Sequence, residues 1–391
     1  MKSRLLVITL LLAIAGVGVA SAQSVNIAKD RFMDKCKGAW AGQMVGVCYA
    51  DIYEFKSNGK PITDPLKEWA PQRVRGALGQ DDIYVEMTFL KALEEHGLDI
   101  THEQAGKAFA ASEYKLWHAN ARGRENVRRG IMPPASGHPD NNPHANDIDF
   151  QIEADLLGII CPGLPQETNR LSEIFGRIMN YGDGLYGGMF IAGMYAAAYF
   201  EDNDIHKVLQ AGLGCIPAES SYHKCISDVV NWYKENPEDW LAVWKKIEEK
   251  YQDDSDCMRG NPVNIDARLN GAYVAMGLLY GNGDLLKTME IATRCGQDTD
   301  CNSASAAGIL CCMKGMSWIP PEFTSGIPAM ADQKFSYTEF SFNTLVPACQ
   351  AMAEQIIKRA GGEVTETAYR IPAQKPVAPP LEQWAGRHAQ K

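Results

Sequence analysis

Two pairs of carboxylates in the 391-residue chain have the type and spacing to do chemistry: Asp81 and Asp82 in "GALGQDDIYVE", and Asp298 and Asp300 in "RCGQDTDCNSASAAG". Each pair lies beside glycine and opens a segment with helical periodicity. One carboxylate is enough to cap a helix N-terminus, where it accepts free N–H groups and suits the dipole. Two at each start exceed that need. If the two starts meet, four like charges call for positive counter-charge. Hard carboxylate oxygens then select a hard divalent cation such as Mg²⁺, Ca²⁺ or Mn²⁺. A third acidic place, "YADIYEF", contributes Asp51 and Glu54.

The elements that must position these groups read as helices. Residues 81–97 place Ile83, Met87 and Leu90, with Phe89 and Leu93, at helical spacings and stop at Gly97. Thr101 and Gln104 form a T-x-x-Q capping box for the next helix. Asn236 reads as a cap and Pro237 as the first residue of a helix carrying Trp240, Trp244, Ile247 and Tyr251. Another helix, containing "VPACQAMAEQIIKRAGG", ends at Gly361. The apolar run at 185–200 is rich in Gly and Ala and short for a membrane span, so it predicts a buried central helix. Alternating strand patterns are scarce. The expected fold is all-α, one large helical domain over 23–363, with polar loops at 56–71, 130–143 and 253–262. The Pro-rich stretch 364–391 reads as a tail, wrapping the surface or hanging free.

The first 22 residues carry Lys2 and Arg4, an apolar core from Leu5 to Val19, and an Ala20-Ser21-Ala22 cleavage pattern. They predict a signal peptide and a periplasmic or secreted protein. A formal charge of −10 without a basic run argues against nucleic acid or an anionic membrane as partner. Eleven cysteines, an odd number at irregular spacing, predict mostly buried free thiols.

"GALGQDDIYVEMTFLKALEEHG" and "GQDTDCNSASAAGILCCMKG" resemble the two metal-binding motifs of the ADP-ribosylglycohydrolase family. "GAWAGQMVGVCYADIYEF" is similar to its opening glycine-spaced helix, and "NYGDGLYGGMFIAGMYAAAYF" to a central helix. The resemblance implies an all-α fold, hydrolysis at a sugar C1, and two divalent cations, Mg²⁺ first and Ca²⁺ or Mn²⁺ as alternatives. It makes Asp81, Asp82, Asp298 and Asp300 the metal ligands, and places Glu54 where the family often has a further acid. Four positions depart from the pattern: Val47, Gln80, Ile83 and Cys301. A thiol is a poor ligand for a hard cation.

The expected activity is metal-dependent cleavage of an N- or O-glycosidic bond of an ADP-ribose-type or related sugar conjugate, with Glu54 or Asp82 as acid/base. Asn142, His144, Tyr181 and Asp183 are expected to contact the substrate, a small molecule or glycan. Trp117 and Trp318 are read as core packing. Two alternatives stay open: an exported O-glycoside hydrolase acting on extracellular glycans, and an inactive sugar- or nucleotide-binding protein.

Overall fold

The computed structural model describes residues 23–252 and 265–382; the expected leader and the loop at 253–262 lie outside them. Strand β1 (Ser24–Ala28) leads into α1 (Lys29–Ala50), then α2 (Asp81–His96), α3 (His102–Ala110) and α4 (His118–Arg128). The short helices α5 (Asp149–Glu153) and α6 (Asp155–Ile159) precede α7 (Pro165–Gly176) and α8 (Asp183–Ala198). There follow α9 (Ile205–Gly214), α10 (Ser221–Glu235), α11 (Trp240–Tyr251), α12 (Ala267–Gly281), α13 (Leu285–Arg294) and α14 (Thr299–Lys314). The four-residue α15 (Pro321–Thr324) and α16 (Phe342–Arg359) come before strands β2 (Glu363–Val364) and β3 (Ala368–Pro372). The fold is all-α, as the periodicities predict.

The centre is made of helices with no polar face. All of α8 except Asp183 and Ala197 is buried, and α12 is buried throughout. A helix apolar all round has to be enclosed by others. The tightest packing joins α1 to α14, which run antiparallel. Gly38, Gly42 and Gly46 recur at intervals of four on α1. A Cβ at these glycines would lie 2.4, 2.5 and 2.4 Å from the carbonyl oxygens of Cys311, Ala307 and Ser303. Only glycine allows so close an approach of two backbones. The seam brings the C-terminus of α1 to the N-terminus of α14.

Local details differ from the sequence reading in three places. The last helix before residue 252 starts at Trp240, and its cap is Asp239, whose Oδ1 accepts from the Ala242 N–H at 3.0 Å. Asn236 instead terminates α10, its amide bonding back to Trp232 and Tyr233. Residues 363–372 form two strands of a three-stranded antiparallel sheet in the order β1-β3-β2, with Ser24 paired to Pro372 and Ala28 to Ala368. Strands this short carry too few residues for an alternating pattern to be read. Beyond them the chain follows the surface as far as Glu382, which pairs with Arg177 at 2.5 Å. The capping box at Thr101 and Gln104 is present in full. The ten described cysteines are free and buried. Among the described residues no helix is long and apolar enough to cross a membrane.

Candidate metal centre

The two aspartate pairs meet. Thr299 opens α14 with Asp298 and Asp300 on either side, and its Oγ1 donates to the carbonyl of Ala50, the last residue of α1, at 3.0 Å. The preceding turn is held in left-handed backbone at Gly296 (φ +86°) and Gln297 (φ +60°). A Cβ on Gly296 would lie 2.1 Å from the Ser57 carbonyl, so the turn accepts no other residue there. Gln297 N–H donates to Ser57 O at 3.0 Å, and Phe55 N–H to Gln297 O at 2.9 Å. These bonds fasten the segment carrying Glu54 alongside the turn carrying Asp298. From below, Asn270 of α12 accepts from Asp298 N–H at 3.3 Å and from the Asn302 amide at 2.8 Å. The helix α2 supplies Asp81 and Asp82, and the Cys301 thiol donates to Asp82 Oδ1 at 2.9 Å.

Capping does not account for these carboxylates. Asp298 occupies the N-cap position of α14, and its side chain makes no cap hydrogen bond. The N-cap of α2 is Gln80, which makes none either. Asp82, Asp298 and Asp300 are 2%, 5% and 5% exposed, and each keeps a buried oxygen with no hydrogen-bond partner: Asp82 Oδ2, Asp298 Oδ1 and Asp300 Oδ1. Burial, then the neighbouring carboxylates, pushes all three well above the usual carboxylate range. Asp81 is raised by burial, offset in part by backbone N–H groups of its own first turn. Glu54, on the solvent side, is raised by partial desolvation and then by Asp81 and Asp51.

Glu54, Asp81, Asp298, Asp300 and Cys301 line one cavity of about 430 Å³. Its remaining wall is largely apolar and aromatic: Phe55, Tyr84, Leu116, Trp117, Ile148, Ile152 and Ile265, with Gln80, His118, Asn120 and Asp149 among them. Among the described residues no Lys or Arg lines it. An acidic cavity, partly walled by apolar side chains, with orphaned carboxylate oxygens and no Lys or Arg in its described lining fits a hard divalent ion in charge and donor type. Asp298, Asp300 and Cys301 each bring one ligand-type atom within 4.8 Å of the others. The thiol is the one soft member, and it is directed at Asp82.

The expected substrate contacts lie elsewhere among the described residues. Asn142 is fully buried; its amide donates to the Ala119 and Met179 carbonyls at 3.0 and 2.9 Å, and its Oδ1 accepts from His144 N–H. It braces a loop. Asp183 begins α8 and accepts from Tyr222 N–H at 3.1 Å. Tyr181 lines a separate cavity with His138, Arg177 and Glu382. His144 meets the site indirectly: it bonds Asp147 at 2.9 Å and packs on His118, which does line the acidic cavity. Of the two acid/base candidates, Glu54 reaches the cavity lining and Asp82 lies beneath it.

Three cavity residues were missed by sequence reasoning. Trp117, expected in the core, is 44% exposed on the cavity wall. A single Trp after a helix break carries no signal for which side of a wall it faces. His118 follows it, and a lone histidine has no spacing to read. Asp149, raised to about 7 by burial and by Asp147 beside it, sits in "NDIDFQIEAD", where acids alternating with apolar residues were the available clue.

The ADP-ribosylglycohydrolase family model matches residues 28–358. No curated protein matches the chain. A solved structure described as an ADP-ribosylglycohydrolase-related protein complex is similar over 84% of this chain and 99% of its own, with a TM-score of 0.54 and 16% identity. At that identity the likeness concerns the fold. The match over most of the length, on a helical frame that unites both aspartate pairs, shows that the chain belongs to the ADP-ribosylglycohydrolase family.

Proposed function

We propose that the protein is a divalent-cation-dependent glycohydrolase that cleaves the bond at C1 of an ADP-ribose-type or related sugar conjugate. Family membership supports the glycohydrolase class. The observation that carries the metal dependence is the set of three buried carboxylate oxygens without partners, on Asp82, Asp298 and Asp300. With Asp81 they would hold one or two cations, Mg²⁺ first among them. When bound, such a cation supplies Lewis acidity and fixes sugar hydroxyls.

The chain's own residues do the rest. Glu54, exposed at the cavity and held beside Asp298 by the Phe55–Gln297 bond, exchanges a proton with the attacking water. The transition state of such a cleavage is oxocarbenium-like, and the surrounding carboxylates stabilise its positive charge. Trp117 offers a ring face for stacking, and Ile148, Ile152 and Ile265 exclude bulk water from the reacting carbon. Export, with a mature N-terminus near Gln23, is part of this reading and rests on residues 1–22 alone.

The test is hydrolysis of ADP-ribosyl-arginine, ADP-ribosyl-serine and a panel of aryl glycosides, with Mg²⁺ and with chelator. Release of ADP-ribose in Mg²⁺ and its loss in chelator are expected. Cleavage of the glycosides alone would move the substrate to carbohydrate. Equal rates with and without chelator would overturn the metal dependence.

A further inference from the structure

His118, His144 and Asp147 bring three ligand-type atoms together at the wall of the acidic cavity. Nδ1 of His144 lies 2.9 Å from Oδ2 of Asp147, and Nδ1 of His118 lies 3.4 Å from the same oxygen. Each of the three residues offers one ligand-type atom within 4.8 Å of the others, and the two rings meet edge to face at 5.3 Å between centroids. A tetrahedral Zn²⁺ with bonds near 2.0–2.1 Å separates its ligand atoms by about 3.3 Å. The two His–Asp spacings, 2.9 and 3.4 Å, bracket that value.

Hydrogen bonding accounts for only one of the two Asp147 oxygens. Both imidazoles converge on Oδ2 of Asp147, while its buried Oδ1 has no partner. The carboxylate is 0% exposed and the imidazoles 28% and 35%, so one side of the cluster is open for a further ligand. The backbone is set in advance. His118 takes a left-handed φ of +39°, a conformation costly for a non-glycine residue that clusters at ligand clamps. Asn142 Oδ1 fixes His144 N–H at 3.0 Å, the Asn180 amide donates to Asp147 O at 2.8 Å, and Asp147 forms a β-bridge with Asp266.

We propose that His118, His144 and Asp147 form a second cation site, distinct from the four aspartates, for a borderline divalent transition ion of the Zn²⁺ class. Two imidazoles and one carboxylate favour such an ion over Mg²⁺, which all-oxygen sites suit. The site does not depend on the glycohydrolase reading. Because His118 also lines the cavity, the ion's open position would take water or an anionic oxygen of a molecule held there.

The experiment uses the full chain, stripped with chelator and then dialysed against Co²⁺ in millimolar Mg²⁺. One retained Co²⁺ per chain with visible ligand-field bands is expected, lost in His118→Gln and His144→Gln and kept in Asp300→Asn. No retained Co²⁺, or retention that survives both histidine changes and disappears in Asp300→Asn, overturns the proposal. A second measurement needs no variant: zinc-edge X-ray absorption of the unmutated protein carrying one equivalent of Zn²⁺ in excess Mg²⁺. Scattering from two imidazoles is expected, and a shell of oxygen alone overturns the site.

Discussion

The thiol of Cys301 on α14 donates to Oδ1 of Asp82 on α2 across 2.9 Å, joining residues 219 apart in the chain. It occupies one of the two oxygens of a carboxylate that is otherwise buried without a partner. Burial and the surrounding aspartates push the thiol itself well above its usual range, so it stays protonated and keeps donating.

The first prediction concerns that contact. Cys301→Ser replaces a soft atom with a hard oxygen at nearly the same position. Affinity for Mg²⁺, read by titration calorimetry, is expected to rise on the order of a few-fold, because hard cations prefer oxygen donors. A weaker or unchanged affinity would place the thiol outside the cation's surroundings.

Asp300→Asn removes one charge from a crowded, desolvated group while keeping its shape. In chelator the variant should melt at the same temperature as the parent or higher, since like carboxylates repel when no cation joins them. With saturating Mg²⁺ the order should reverse. A ligand at a hundred times its dissociation constant stabilises the folded state by about 2.7 kcal/mol, and the variant loses most of that gain. Activity should fall to background. Parallel melting curves for both proteins in Mg²⁺ would count against a cation at Asp300.

A pH prediction comes from Glu248, far from the aspartates in the sequence. Burial raises its carboxyl from 4.5 to about 7, and the Tyr273 hydroxyl donates to it. The folded state therefore binds the proton more tightly than the unfolded chain does. Stability from this group is full below about pH 4.5 and is lost as pH rises through about 7. Glu248→Gln should flatten that slope, making the variant more stable than the parent at pH 8 by on the order of 2 kcal/mol after allowing for its residual solvent contact. Denaturant melts at pH 5 and pH 8 measure it. An unchanged slope would assign the pH response to other buried carboxyls.

A fourth prediction concerns oxidation. The ten described cysteines are free and buried, so a reductant should leave the melting temperature unchanged. A native disulfide typically contributes about 2–4 kcal/mol, and a fall of several degrees in reductant would reveal one.

The sequence carried some parts of the site better than others. Asp81, Asp82, Asp298 and Asp300 were legible because paired acids at helix starts exceed what a cap needs, and that surplus is visible in one dimension. The position of Asn142 away from the cavity was not legible, because a polar residue in a Gly/Pro-rich loop looks the same whether its amide faces a ligand or the carbonyls of Ala119 and Met179. The partner that decides lies 23 or 37 residues away. Trp117 and His118 come to the cavity through the left-handed start of α4, a backbone state that no side-chain pattern encodes. The α2 boundaries and the capping box at Thr101 were read correctly because they depend on neighbours within four residues. The cap at Asp239 was missed because Asn236-Pro237 offered an equally good local motif three residues earlier.

Glu54 follows the C-terminal end of α1 and Asp298 stands at the N-terminal end of α14, so the glycine seam between those helices acts as a ruler. Three backbone contacts at Gly38, Gly42 and Gly46 leave no room for a side chain and none to compress. The distance from Glu54 to the aspartates proposed to hold a cation is thus set by packing well away from the cavity. Variation that changes what the cavity accepts is left to Trp117, Ile148, Ile152 and Ile265, which belong to other elements. In the proposed reaction, reactivity and selectivity are in this way mechanically separate, and one can drift while the other stays fixed.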